Sequence, residues 1–95
     1  MAEVVVRKYG GSSIATPEKV IAIADRIAAT RSALPKLVVV VSAMGRTTDD
    51  LVALAHKVTR RPKGREMDLL LASGEQISVS LLGLALQDRD VPAVS

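Results

Sequence analysis

Two short apolar runs, each followed by a small polar loop and a helical pattern, constrain the fold of this chain most. Val4–Val6 and Leu37–Val41 show no alternation of polar and apolar residues. Such runs are typical of strands that are buried on both faces, as in a parallel sheet. Strands that alternate with amphipathic helices predict right-handed crossovers and helices packed on the sheet. The chain is therefore predicted to be of the α/β class.

The helix starts are signalled by capping residues. Thr16-Pro17-Glu18 predicts the first helix, with threonine as N-cap, proline in the first turn and glutamate at the positive end of the dipole. Thr47, with Asp50 three residues later, resembles a capping box and predicts the second. The remaining expectations are a short helix over 65–72, a break at 73–76, a further helix over 77–86 and a third strand opening at 91–95. The predicted order is β-α-β-α-α-β.

Length and composition allow one domain and exclude several kinds of site. The chain has 95 residues, of which 48% are apolar and 24% are charged, and these proportions favour a globular fold over disorder. It has no cysteine, which excludes disulfides, thiolate metal sites and cysteine nucleophiles. Tyr9 is the only aromatic residue, so base stacking on single-stranded nucleic acid is disfavoured.

The positive charge of the chain is concentrated in one segment. Five of the 13 lysine and arginine residues lie between positions 57 and 65, around Pro62 and Gly64. Without neighbouring aromatic residues, we interpret this cluster as a solvated loop rather than a phosphate or nucleic-acid patch. The longest uncharged run, 76–87, is shorter than the ~18 apolar residues that span a bilayer, and no signal-peptide pattern opens the chain. We expect a cytoplasmic protein that binds neither nucleic acid nor membranes.

The first predicted strand ends in a loop suited to a phosphate group, Lys8-Tyr9-Gly10-Gly11-Ser12-Ser13. Paired glycines allow the backbone to approach a phosphate closely, and the amides that follow can donate to its oxygens. Lys8 could neutralise charge on a transferred phosphoryl group. Taken alone, most glycine pairs of this kind merely turn the chain, and the loop matches neither a Walker A motif nor a dinucleotide fingerprint.

The second predicted strand ends in a loop with three hydroxyl groups, those of Ser42, Thr47 and Thr48. By spacing alone, ordinary capping by Thr47 or Thr48 is the favoured interpretation. Glu75 opens an uncharged stretch, and it is either an acid on the first turn of a helix or the partner of a ligand ammonium. In open α/β sheets, ligands bind beyond the carboxyl ends of the strands, where both loops are expected.

These residue types fit phosphoryl transfer to a carboxylate. An acceptor carboxylate is already ionised at neutral pH, because the reference pKa of aspartate is about 3.9. The reaction therefore needs positioning and charge neutralisation but no general base. Glycines, hydroxyls, one lysine and one glutamate meet that requirement, whereas no serine–histidine–aspartate arrangement or metal-spaced cluster is present in the sequence.

Three blocks of sequence, in this order, resemble the N-terminal part of the aspartate kinase (aspartokinase) family. They are Lys8–Ser13, Val39–Asp49, and Arg65–Asp68 followed by Ser73–Ser78. The resemblance covers essentially the whole chain. It implies the amino-acid kinase fold, a three-layer α/β/α sandwich with a mainly parallel sheet. Residues 1–95 are then an N-terminal β-α-β-α-α-β piece of the catalytic domain.

The resemblance also implies an activity and roles for individual residues. Family members transfer the γ-phosphoryl group of Mg-ATP to the side-chain carboxylate of L-aspartate, which gives 4-phospho-L-aspartate for lysine, threonine and methionine biosynthesis. Lys8 is then the catalytic cation. Contacts with ATP are expected from Lys8, Tyr9, Gly10, Gly11 and Ser42, and contacts with aspartate from Ser42, Thr47, Thr48 and Glu75. Magnesium ligands are expected from the nucleotide and from residues outside this chain, and none is assigned within it.

The resemblance places the family's nucleotide-binding half and regulatory ACT domains beyond Ser95. We therefore expect an incomplete catalytic domain that is inactive alone and belongs to a homo-oligomer. One alternative is another enzyme of the same fold, acting on acetylglutamate, glutamate, carbamate or a nucleoside monophosphate. The other is a non-catalytic module that binds anions or a partner protein.

Overall fold

The computed structural model describes residues 3–34 and 36–95, so the predicted range 1–95 is described except for Met1, Ala2 and Pro35. Within these residues the order of elements is strand, helix, strand, helix, helix, with one short 3₁₀ helix after the first strand. The elements are β1 (Val5–Tyr9), the 3₁₀ helix (Gly11–Ile14), α1 (Pro17–Thr30), β2 (Leu37–Val41), α2 (Thr47–Val58) and α3 (Gly64–Gln87). The predicted α/β class is confirmed.

The two strands form a parallel pair, as the sequence predicts. Val5 is opposite Leu37 and Tyr9 is opposite Val41, and α1 forms the crossover between the strands. Alternate residues differ in burial: Leu37, Val39 and Val41 pack against the core, whereas Val38 and Val40 are exposed. The strands were expected to be buried on both faces. Helices of the described residues cover one face only, and Val6, which is 62% exposed, lies on the other.

The first helix begins as predicted and supplies much of the core. The Thr16 hydroxyl accepts a hydrogen bond from the Lys19 amide at 3.2 Å, and Pro17 is the first helical residue. Apolar residues then recur at intervals of three and four, which places them on one face of the helix. That face packs with Leu82 and Leu86 of α3, and its buried members are Val20, Ile23, Ala24 and Ile27.

The predicted break at 73–76 is wrong, because α3 is one continuous helix of 24 residues. Glycine within a helix costs ~1 kcal/mol relative to alanine, but here close packing requires it. A Cβ atom at Gly74 would lie 3.1 Å from Thr47 Cγ2 and 3.2 Å from both Ala43 Cβ and Leu51 Cδ1. The Ser73 hydroxyl donates to the Leu70 carbonyl within the helix. The residues that resemble a helix boundary are therefore the contact between α3 and α2.

The length and composition of α3 also meet the criterion for a membrane span, with a mean hydropathy of 1.6 over one window. Core helices of soluble proteins meet the same criterion. In the described residues, α3 packs against both α1 and α2, and it contributes Leu82 and Leu86 to the buried core. Within the described residues 22% of that window is buried, and Leu69, Ile77 and Leu84 of the same helix are exposed.

The third strand predicted at 91–95 is absent from the described residues, which pair as β1 and β2 only. Val91 instead completes the end of α3. Its amide donates to the Leu86 carbonyl at 3.0 Å, and Asp90 has the left-handed backbone conformation, with φ of 54°. This is a Schellman motif, in which an apolar residue beyond the helix packs against its last turn. Val91 and Leu86 are both buried in the core, which accounts for the apolar pattern that suggested a strand.

Candidate functional site

The loops that follow β1 and β2 lie at the same edge of the sheet and are hydrogen-bonded to each other. Because the strands are parallel, both carboxyl ends reach this edge. The Ser42 amide donates to the Tyr9 carbonyl at 3.0 Å. Three residues later in the second loop, the Gly45 amide donates to the Gly11 carbonyl at 2.9 Å. The first loop and the second loop therefore form one continuous surface.

This close approach requires glycine at two positions. A Cβ atom at Gly11 would lie 3.1 Å from the carbonyl oxygens of both Ala43 and Gly45. Gly45 has a φ of +52°, which favours glycine over other residues. At Gly10, by contrast, no atom lies within 4 Å of the Cβ position. Gly10 therefore faces open space at the edge, whereas Gly11 is packed between the two loops.

The backbone of the first loop presents unpaired donors to a ligand. The carbonyls of Tyr9, Gly10 and Gly11 each accept a hydrogen bond from the backbone, of Ser42, Ser13 and Gly45 respectively. In a planar trans peptide the N–H points away from the preceding carbonyl. In the part of the chain that the structure describes, the amides of Gly10, Gly11 and Ser12 have no backbone acceptor. Free amides before a helical turn can donate hydrogen bonds to the oxygens of an anion.

The two side chains predicted at the end of β1 lie on opposite faces of the sheet. Lys8 is exposed and shares the uncovered face with Val6, because successive side chains of a strand alternate. Tyr9 is half-buried and packs against the core on the helix-covered face. At this edge Lys8 therefore offers a charged side chain, and Tyr9 offers its backbone.

The hydroxyl groups of the second loop do not cap α2, contrary to the favoured expectation. Arg46 is the N-cap, without a side-chain hydrogen bond, and Thr47 is the first helical residue. Among residues 3–34 and 36–95, the hydroxyls of Ser42, Thr47 and Thr48 take part in no hydrogen bond. Ser42 and Thr47 are half-buried and Thr48 is exposed. These groups are free to bind a ligand.

The third block of sequence, Ser73–Ser78, contacts the second loop through Gly74. The methyl group of Thr47 and the side chain of Ala43 pack against Gly74, which directly precedes Glu75 in the chain. Glu75 is exposed and lies in the middle of α3, which begins at Gly64. The interaction of an acid with the helix dipole is confined to the first turn, so it does not account for Glu75. In the described part of the chain, Glu75 forms no ion pair.

Two features of the site have little signal in the sequence. The direct bond between Gly45 and Gly11 joins backbone atoms, so no side chain marks it. The ammonium group of Lys19 donates to the Ser12 carbonyl at 2.8 Å, and an exposed lysine on a first helical turn gives no indication of such a contact. Gly74, which allows α3 to pack closely on α2, does have a signal in the sequence, because it is a small residue in an apolar helical stretch. A glycine in that position is equally typical of a helix break.

Comparison with known proteins gives one consistent result. The sequence profile of the amino acid kinase family matches residues 3–95. Aspartokinase 2 of Bacillus subtilis is 48% identical over 91 residues, and an aspartokinase of Thermus thermophilus is 52% identical over 89 residues. These alignments cover 96% and 94% of this chain. The crystal structure of aspartate kinase from Synechocystis superposes with a TM-score of 0.90 at 50% identity and covers 97% of this chain.

The matched region is a small part of each relative. The chain spans 22% of the length of both aspartokinases and 16% of the solved chain. The similarity nevertheless extends over nearly all of this chain, and it includes the fold as well as the sequence. The arrangement of two parallel strands with helices on one face is therefore the N-terminal part of the amino-acid kinase fold, and the chain belongs to the amino acid kinase family.

Proposed function

We propose that this chain is the N-terminal part of the catalytic domain of an aspartate kinase. The intact enzyme would transfer the γ-phosphoryl group of ATP to the side-chain carboxylate of L-aspartate and form 4-phospho-L-aspartate and ADP, the first step of lysine, threonine and methionine biosynthesis. The observation that carries the proposal is the hydrogen bond from Gly45 to Gly11, which unites the two loops. The similarity to two aspartokinases, at 48% and 52% identity, supports aspartate as the acceptor.

The first loop would bind the phosphates. Its free amides at Gly10 and Gly11 suit the phosphate oxygens, and the open space at Gly10 admits them closely. During transfer, a bond forms between a carboxylate oxygen of aspartate and the γ-phosphorus, while the bond from that phosphorus to the bridging oxygen of ADP breaks. Lys8 would neutralise the negative charge on the transferring group. No proton has to be removed from the nucleophile.

The second loop and α3 would bind aspartate. The hydroxyl groups of Ser42, Thr47 and Thr48 are donors without partners in the described residues, and carboxylate oxygens are suitable acceptors. Glu75 would accept hydrogen bonds from the substrate ammonium group. Ser42, whose amide donates to the Tyr9 carbonyl, would lie between the two ligands. This arrangement would hold the carboxylate nucleophile against the γ-phosphate, which is the main source of rate enhancement for a reaction of this type.

The proposal includes parts that this chain does not contain. On the basis of the resemblance, we assign Mg²⁺ to the nucleotide phosphates and to residues outside this chain. The adenine-binding half of the domain, regulatory ACT domains, a homo-oligomeric assembly and a cytoplasmic location belong to the proposal on the basis of the resemblance. The chain by itself is proposed to be inactive, because it offers the γ-phosphate a site without the rest of the nucleotide pocket.

The test is a substrate panel on the full-length protein. Acyl phosphate formed from ATP is trapped with hydroxylamine, with aspartate, glutamate and acetylglutamate as acceptors, and ADP release is followed with carbamate and a nucleoside monophosphate. Aspartate is expected to be the preferred acceptor, and Lys8→Ala is expected to abolish turnover. Preference for another acceptor would assign a different enzyme of the family. Full activity in Lys8→Ala would remove the proposed phosphate site, and absence of any transfer would favour a binding module. Turnover by the isolated 95 residues would contradict the proposed incompleteness.

A further inference from the structure

The Lys19 side chain connects the first helix to the phosphate loop. Its ammonium group donates to the Ser12 carbonyl at 2.8 Å across the turn between the 3₁₀ helix and α1. The backbone amide of the same residue donates to the Thr16 hydroxyl, the N-cap of α1. Lys19 precedes Val20, which is buried in the core. The side chain therefore extends from a rigid part of the fold to a loop that is otherwise exposed.

The Lys19 contact completes a series of four bonded carbonyls. Those of Tyr9, Gly10 and Gly11 accept from backbone amides, and the next carbonyl in the chain, that of Ser12, accepts from Lys19. The peptide between Ser12 and Ser13 is thus held at both ends, since its amide donates to the Gly10 carbonyl at 3.0 Å. Three of the four carbonyl bonds are formed by the backbone, and Lys19 is the one side chain among the donors.

We infer that Lys19 is a positioning residue for the phosphate loop. By holding the Ser12 carbonyl, it fixes the rotation of the peptide that closes the loop, and so keeps the free amides of Gly10 and Gly11 at the open edge. Without the ammonium group, only the bond from the Ser13 amide to the Gly10 carbonyl holds this peptide, and the loop more often samples orientations in which carbonyl oxygens rather than amides face an anion. The inference rests on the proposed function only in taking ATP phosphates as that anion.

The ammonium group is exposed, so water competes for the Ser12 carbonyl and the expected effect is moderate. We expect Lys19→Met in the full-length protein to raise the KM for ATP about fivefold, as for the loss of one charged hydrogen bond at a solvated site. The kcat and the KM for aspartate are expected to stay within about twofold, which is the usual range for surface substitutions. Lys19→Arg retains a charged donor and is expected to restore the KM for ATP.

A second measurement separates positioning from direct contact with the nucleotide. Hydrogen exchange of residues 8–16 is followed in the unliganded protein, and Lys19→Met is expected to accelerate exchange in this segment while Lys19→Arg does not. The matched control is Lys36→Met, which removes the same charge at the start of β2, at the opposite edge of the sheet. Lys19→Gln, which keeps a polar but uncharged side chain, serves as a second variant with the same expectation as Lys19→Met.

Three results would overturn the inference. An unchanged KM for ATP in both Lys19→Met and Lys19→Gln would show that the bond has no effect on the loop. A raised KM with unchanged exchange would assign Lys19 to direct contact with the phosphates, and an equal effect of Lys36→Met would assign the change to net charge. If the full-length protein does not phosphorylate aspartate, the proposed function fails. Hydrogen exchange of residues 8–16 in the unliganded protein still decides whether Lys19 holds the first loop in place.

Discussion

The contact between the two loops predicts that Gly11 and Gly10, although adjacent, respond differently to the same substitution. In Gly11→Ala, the new Cβ atom would lie 3.1 Å from two backbone oxygens, those of Ala43 and Gly45. Backbone atoms held by a strand and a helix start cannot move aside as a flexible side chain would. The loops must therefore separate by a few tenths of an ångström, which strains the 2.9 Å bond from the Gly45 amide to the Gly11 carbonyl.

The size of the effect follows from this geometry. Overpacking of a close contact costs about 1–3 kcal/mol, which corresponds to a roughly fivefold to 150-fold change in a local opening equilibrium. Hydrogen exchange of the Gly45 amide in the full-length protein measures that equilibrium, because the amide exchanges only when its bond to Gly11 opens. We expect faster exchange by this factor in Gly11→Ala, together with higher KM values for both ATP and aspartate.

Gly10→Ala is the matched control. Gly10 has a φ of −76°, which alanine adopts freely, and its Cβ position is open. Exchange at Gly45 is therefore expected to stay within about twofold of the unsubstituted protein, as for other substitutions at open positions. If the open space at Gly10 admits phosphate, the KM for ATP rises alone. Equal exchange at Gly45 in the two variants would refute the argument that Gly11 is where the loops are packed together.

Three further predictions concern α3. If Glu75 binds the substrate ammonium group as proposed, Glu75→Gln would lose a charged hydrogen bond and is expected to raise the KM for aspartate about tenfold or more without changing the KM for ATP. Glu66→Gln, on the first turn of the same helix, is the control. Gly74→Val is expected to destabilise the protein by about 1–3 kcal/mol, because its side chain would collide with Ala43 and its neighbours; an unchanged melting temperature would contradict the close packing. Asp90→Gly is expected to raise the melting temperature slightly, because glycine adopts the left-handed conformation at the helix end with less strain, and a lower melting temperature would show that the Asp90 side chain stabilises that end.

Local sequence was sufficient where local interactions decide the structure. Leu37–Val41 forms β2 as predicted, because an uninterrupted apolar run next to a glycine-containing loop has few alternatives in a chain of this composition. The start of α1 was also predicted, since Thr16 and Pro17 satisfy the helix end within one turn. The meeting of the two strand-end loops was also predictable, because both follow parallel strands. The binding roles of their residues stay predictions.

Contacts between distant segments explain the remaining differences. Gly74 carries the same local signal in a helix break and in a tightly packed helix, and only the position of α2 distinguishes them. Val91 is apolar because it closes the end of α3, which a short pattern cannot separate from the start of a strand. Val38 and Val40 are exposed, so the uninterrupted apolar run of β2 did not distinguish a strand covered on both faces from one covered on a single face of the described residues.

The hydrogen bonds between the two loops join backbone amides to backbone carbonyls, and this determines which substitutions the loops tolerate. Side chains at the loop surface can be exchanged without altering the scaffold, provided that the small residues at the contact are kept. A saturation-mutagenesis map of stability would then show two intolerant glycines, Gly11 and Gly45, next to permissive neighbours such as Ser13, and not a uniformly sensitive loop. If the proposed function holds, acceptor specificity could be redesigned through the hydroxyl-bearing positions while the backbone of the first loop stays intact.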